Sequence, residues 1–118
     1  DYYNAANPTT LWGWRVPTST DFTTLSTYLG GDAVAGGKLK KEGITYWTSP
    51  NTGADNSSGF SALGGGQRDD YGLFANGFNQ QFFRGSDGYR MYMLFGSAAV
   101  TIATIDNKRA YSVRLIKN

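Results

Sequence analysis

The 118-residue chain contains neither cysteine nor histidine. Without cysteine there is no disulfide framework, no thiol nucleophile and no cysteine-based zinc site. Without histidine it lacks the commonest metal ligand and the side chain best suited to proton transfer near neutral pH. Most hydrolase arrangements need one of the two, so the expectation is a protein that is not an enzyme and takes no cofactor. No apolar run approaches the ~20 residues of a membrane-spanning helix, and no insertion of this domain into a membrane is expected. A signal-peptide pattern is missing too, and the chain opens on Asp1, which reads as a mature or excised piece of a longer protein. Charge of either sign is sparse: 11 basic side chains stand against 9 acidic ones. The one tight basic run, Lys38, Lys40 and Lys41, is followed directly by Glu42. A nucleic-acid binder presents a wider basic stripe, so the run reads as a solvated helix end and no nucleic-acid partner is expected.

What is abundant is glycine, at sixteen residues, together with eight tyrosines, seven phenylalanines and three tryptophans. Glycine supplies tight turns and large aromatics supply bulk, which points to one domain over 1–118 with much irregular backbone and a real core. Pro17 discourages helix at Val16. Thr18-Ser19-Thr20-Asp21 then has capping-box spacing, and Phe22, Leu25 and Leu29 recur on one helical face up to Gly30-Gly31. The reading is a helix over 19–29. A shorter one is expected over 32–41 with Val34, Ala35 and Leu39 inward, although Gly36-Gly37 weakens it unless small residues there permit close packing. Residues 43–79 are turn-rich, with short strands expected around Tyr46-Trp47 and Phe60–Leu63. Tyr89–Phe95 reads as a central strand buried on both faces and Val100–Ile105 as a β-branched strand. Tyr111, Val113 and Leu115 alternate with Ser112 and Arg114 as a closing strand. Helices first and strands later make the fold class α+β.

Several segments, in order, resemble one bacterial family. They are Gly13-Trp14-Arg15-Val16-Pro17-Thr18, Tyr28-Leu29-Gly30-Gly31, and Ala35-Gly36-Gly37-Lys38-Leu39-Lys40, then Trp47 with Ser49-Pro50-Asn51-Thr52-Gly53-Ala54. Ser58-Gly59-Phe60-Ser61-Ala62-Leu63, Gly65-Gly66 with Arg68, and Tyr111-Ser112-Val113-Arg114-Leu115 complete the set. Together they resemble the Fibrobacter succinogenes major paralogous domain. The resemblance implies a C-type-lectin-like fold with two N-terminal helices, long irregular loops and a small antiparallel sheet. It also implies a module of a secreted, cell-surface or virion protein. One stretch departs: where the family carries a Trp pair and Ser-Ser-Thr-Glu, this chain has Asn79-Gln80-Gln81-Phe82-Phe83-Arg84-Gly85-Ser86. Divergence near the C-terminal end also resembles the variable proteins of diversity-generating retroelements, which use this fold and place interchangeable residues on the last strands and loops.

The framework segments implied by the resemblance suggest that Trp14 and Trp47 pack in the core rather than stack on sugars. Arg15, Arg68 and Arg114 read as structural, pairing with carboxylates or loop carbonyls. Asp69, Asp70, Asp55 and Asn56 offer oxygens, yet calcium needs six to eight in a shaped loop, and the motifs of calcium-dependent lectins are missing; no metal site is assigned. Gly64-Gly65-Gly66 lacks the Gly-Lys-Ser/Thr of a phosphate loop and reads as a flexible turn. Formylglycine-generating enzymes share a related fold, but their chemistry depends on cysteines that this chain lacks.

The candidate binding surface is the 79–109 region. Gln80, Gln81, Arg84, Ser86, Asp87 and Arg90 offer donors and acceptors beside Phe82, Phe83 and Tyr89, the mixture of rigid aromatics and adaptable polar groups found in paratopes. Tyr92, Thr101, Ala103, Ile105, Asp106 and Arg109 extend it. The expected partner is a protein or glycan on a cell surface. The alternative is a structural or spacer module of a bacterial surface protein or phage fibre.

Overall fold

A computed structural model describes residues 10, 11 and 13–118. The sequence reads 1–17 as an extended entry with Tyr2, Tyr3 and Trp12 available for burial, and these three lie outside the described residues. Strands β1 (Thr10–Leu11) and β2 (Trp14–Arg15) lead into helices α1 (Ser19–Tyr28) and α2 (Asp32–Leu39). A short hairpin of β3 (Gln67–Arg68) and β4 (Phe74–Ala75) follows a long irregular stretch, and β5 (Gln80–Arg84), β6 (Tyr89–Leu94) and β7 (Val100–Thr104) come next. Strand β8 (Ile116–Lys117) closes the chain antiparallel to β2. The architecture is therefore α+β: two N-terminal helices with small antiparallel sheets and irregular connections.

Helix α1 starts where the capping spacing predicts. Thr18 Oγ1 accepts from the Asp21 backbone N–H, and the Asp21 carboxylate accepts from Thr18 N–H at 2.8 Å. The same carboxylate takes a two-pronged ion pair from Arg15, its second prong 2.8 Å long. Arg15 beside it holds the Asp21 carboxyl well below the usual carboxylate range. Strand β2, cap and helix are thus fastened at one point.

Helix α2 forms despite Gly36-Gly37 because those glycines are contact points. A Cβ on Gly36 would stand 2.2 Å from the Ala99 carbonyl oxygen, and one on Gly37 would stand 2.3 Å from that of Gly53. The α2 backbone lies directly on the segment leading into β7 and on the loop that contains Gly53. Val34, expected inward, is instead 43% exposed, while Ala35 and Leu39 are buried.

The sheet β5-β6-β7 carries the core on one face. Phe83, Met91 and Ile102 lie in register, as do Gln81, Met93 and Val100. Met91, Met93, Phe83 and Val100 pack with Phe22, Leu29, Leu39 and Trp47 under the helices. The expected strands at Tyr46-Trp47 and Phe60–Leu63 do not form: the first is a series of bends, and the second reduces to an isolated bridge between Lys40 and Ala62. Their backbone groups bond to single partners instead, Ala62 to Leu39 and Lys41, and Tyr46 to Gly64. Trp47 is nonetheless fixed, its indole N–H donating to the Ala62 carbonyl at 2.9 Å. Nor is 111–115 a strand; single bridges at Ala110 and Ser112 tie it to Arg68 and Phe83. Gly64-Gly65-Gly66 is not loose either, because a Cβ on Gly66 would meet the Ala75 carbonyl oxygen at 2.3 Å.

Candidate functional site

Strand alternation sends every second side chain of β5, β6 and β7 to the face opposite the core. In register across the sheet stand Phe82, Tyr92 and Thr101, and beside them Arg84, Arg90 and Ala103. The bridge between Phe83 and Ser112 brings Tyr111 onto the same face, its ring 5.5 Å from that of Phe82. Phe82 and Tyr92 lie 5.3 Å apart.

Arg90 organises this face. Its guanidinium carbon is 5.4 Å from the Phe82 ring centre, 5.3 Å from that of Tyr92 and 5.4 Å from that of Tyr111. Nη1 donates to the Tyr111 hydroxyl at 2.8 Å. A guanidinium over aromatic faces is attracted by the ring quadrupoles, and its planar fork is held in a fixed orientation. Tyr111 Oη also accepts from the Asp106 backbone N–H at 3.3 Å, so the turn at 106–109 is drawn to the edge of the cluster. There Asp106 pairs with Arg109 at 3.5 Å.

The structure brings Gln80, Phe82, Arg84, Arg90, Tyr92, Thr101 and Ala103 together as expected for a single surface. Thr101 is exposed, and Arg84, Arg90, Tyr92 and Ala103 are half-buried. Ser86 and Tyr89 are exposed at the β5–β6 hairpin, and Ile105 follows β7 half-buried. Four expectations need correction. Phe83 packs in the core, in register with Met91 on the inner face. Gln81 points to the core side, where its Oε1 accepts from Gly65 N–H at 2.8 Å, because its neighbour Phe82 faces outward. Phe82 is on the outer face but only 5% exposed, being covered by Tyr92, Tyr111 and Arg90. Asp87 is exposed yet engaged, accepting from the backbone N–H and hydroxyl of Ser19, at 3.0 and 2.6 Å, at the start of α1. It fastens the hairpin to the helix.

Sequence reasoning missed Tyr111 as a member of this cluster, since its alternation with Ser112 read only as a closing strand. It also missed Lys40, taken as part of a solvated helix end. Lys40 is fully buried, and its ammonium donates to the carbonyls of Thr52, Leu94 and Ser97 at 2.9, 2.9 and 2.8 Å. Burial pushes its pKa down to about 8. This one cation joins the end of α2 to the 48–54 loop and to the β6–β7 connection behind the candidate face.

The three arginines read as structural behave so. Besides Arg15, Arg68 donates to the Gly72 carbonyl at 3.0 Å and Arg114 to that of Phe60 at 2.6 Å. Trp47 is in the core, but Trp14 is 46% exposed. Asp69 and Asp55 accept from backbone N–H groups two residues ahead, as turn formers do. Among the described residues no group of three or more carboxylate, histidine or cysteine side chains gathers. An open groove of about 720 Å³ lined by Leu25, Tyr28, Lys38, Phe60 and Arg114 lies away from the candidate face. Its two cations are engaged with backbone carbonyls, Lys38 with that of Leu29. No described helix is long and apolar enough to cross a membrane.

Neither the curated proteins nor the solved structures gave a match to the chain. The model of the Fibrobacter succinogenes major domain family matches it over residues 2–117. That span includes both helices, the irregular middle and the outward-facing sheet, and the chain belongs to this family.

Proposed function

We propose that this domain is a C-type-lectin-like recognition module of an extracellular, cell-surface or virion protein, and that it binds rather than catalyses. Its recognition surface is the outer face of β5-β6-β7 with the adjoining hairpin tip, and its partner is a protein or a glycan. The observation that carries this reading is the division of labour within one sheet. Met91 and Met93 on the inner face are at most 1% exposed, while Arg84, Arg90, Tyr92, Thr101 and Ala103 alternate with them or stand in register on the other side. Apart from the buried Phe82, the members of that side point away from the inner core cluster, and positions decoupled from the core are what a recognition surface needs. Stacked aromatics with a fixed arginine also match the composition of binding hot spots. The chemistry on the face offers hydrogen bonds, charge and apolar area, with no general acid–base pair among its members.

The same division suits a variable protein of a diversity-generating retroelement, in which exchangeable positions must be decoupled from folding. Sequencing sibling copies from one population tests this. Differences should concentrate at residues 84, 90, 92, 101 and 103, with 83, 91, 93 and 102 constant. Differences spread evenly along the chain would contradict it.

A further inference from the structure

The outer face carries two arginines that no carboxylate among the described residues pairs with. Arg84 and Arg90 are direct partners across the β5–β6 ladder. Like charges directly opposite on one face destabilise a sheet. Among the described residues neither arginine makes an ion pair: the ion pairs present are Arg15–Asp21, Lys41–Glu42 and Arg109–Asp106. The nearby carboxylates are engaged elsewhere, Asp106 with Arg109 and Asp87 with Ser19. Arg90 spends Nη1 on the Tyr111 hydroxyl, and its Nε is buried with no partner. Three ring centres lie within 5.4 Å of its guanidinium carbon, and among the described residues Nη2 makes no hydrogen bond, so it is a donor open to a ligand.

We propose that Arg84 and Arg90 form an anion-reading pair, and that the partner is a protein segment presenting Asp or Glu side chains to it. This rests on the reading of the outer face as the recognition surface. A carboxylate placed between the two arginines relieves their mutual repulsion and accepts charge-assisted hydrogen bonds from preoriented donors. Tyr92 and Thr101 alongside supply the aromatic and small polar contacts typical of a protein–protein patch. A face built from strand side chains in register suits another protein surface.

The test is a titration of the isotope-labelled domain with hexaglutamate, followed through backbone amide NMR shifts. Perturbations should fall on β5, β6 and residues 111–113, and affinity should fall as salt is added. Arg84→Gln and Arg90→Gln should each weaken binding about tenfold with melting near that of the parent. Arg90→Lys keeps the charge and loses the fork, and should bind at a level between the parent and Arg90→Gln. Lys117→Gln removes the same charge from β8 and should change affinity by no more than about twofold. Absence of binding, shifts elsewhere on the domain, or equal loss with Lys117→Gln would overturn the proposal. Tighter binding of an oligogalacturonate of equal charge would overturn the protein assignment in favour of an acidic glycan. The survey of sibling copies involves no anion, so the broader reading of the face stands or falls separately.

Discussion

Lys40 shows how one side chain can hold a loop-rich domain together. Its ammonium satisfies three backbone carbonyls from separate segments, and the Trp47 ring centre lies 5.4 Å away. Lys40→Met keeps much of the stem's packing but removes the ammonium donor from the Thr52, Leu94 and Ser97 carbonyls, of which that of Leu94 keeps the Ser97 N–H at 3.4 Å. The expected cost is about 2–4 kcal/mol, read from urea unfolding. The pH dependence has a definite sign. Unfolded, the group keeps its proton until about 10.5; folded, it releases it at about 8. Between these values the unfolded chain binds more protons, so the contribution of Lys40 to stability rises with pH across that window. The stability difference between parent and Lys40→Met should therefore widen from about pH 7 to about pH 10. A constant difference would remove the titration from the account. Nothing in Lys38-Leu39-Lys40-Lys41 marks the third of these residues as buried. Burial of a lysine depends on which carbonyls converge on it, and these come from as far as 57 residues away in sequence. By contrast Arg15 and Arg68 were legible, because their partners Asp21 and Gly72 lie within six residues of them in sequence.

At the level of elements, local rules worked where a segment's own sequence decides its structure. The capping box, the Pro17 boundary and the Gly30-Gly31 stop placed α1 within a residue of its observed end. Continuous apolar character and β-branching placed β6 and β7 equally well. The rules failed where structure depends on a neighbour. Tyr46-Trp47, Phe60–Leu63 and 111–115 have strand-like composition, but each meets only single bridges or turns. The β3–β4 hairpin was missed for the opposite reason: its strands are two residues each, and Phe74 is 87% exposed. Helix α2 gives the sharpest test at this scale. Gly36→Ala would favour an isolated helix by about 1 kcal/mol. Here the new methyl meets the Ala99 backbone at 2.2 Å, so α2 must move off the β7 entry. Overpacking of this kind costs about 1–3 kcal/mol, and the clash is with backbone rather than a flexible side chain. A net loss of about 1–2 kcal/mol in denaturant unfolding is expected. A gain in stability would mean that the helix–sheet contact is looser than its geometry implies.

Across the whole molecule, glycine-jointed helices and irregular loops press on one face of a three-stranded sheet and leave the other for contact. The location of the candidate face within 79–109 was legible in the sequence, from aromatics interleaved with polar residues. Its division into inner and outer members was not, because Gln81-Phe82-Phe83 has no hydrophobic alternation to set its phase. Register with Met91 and Met93 sets it instead. The account's central claim is that the outer face can be exchanged while the frame stays fixed. The most direct measurement is thermal unfolding of a set of variants in which residues 84, 90, 92, 101 and 103 are changed together. Most members are expected to melt within about 5 °C of the parent, whereas Met93→Ala, on the inner face, should lose about 2–5 kcal/mol. Outer-face variants that unfold as readily as Met93→Ala would contradict it.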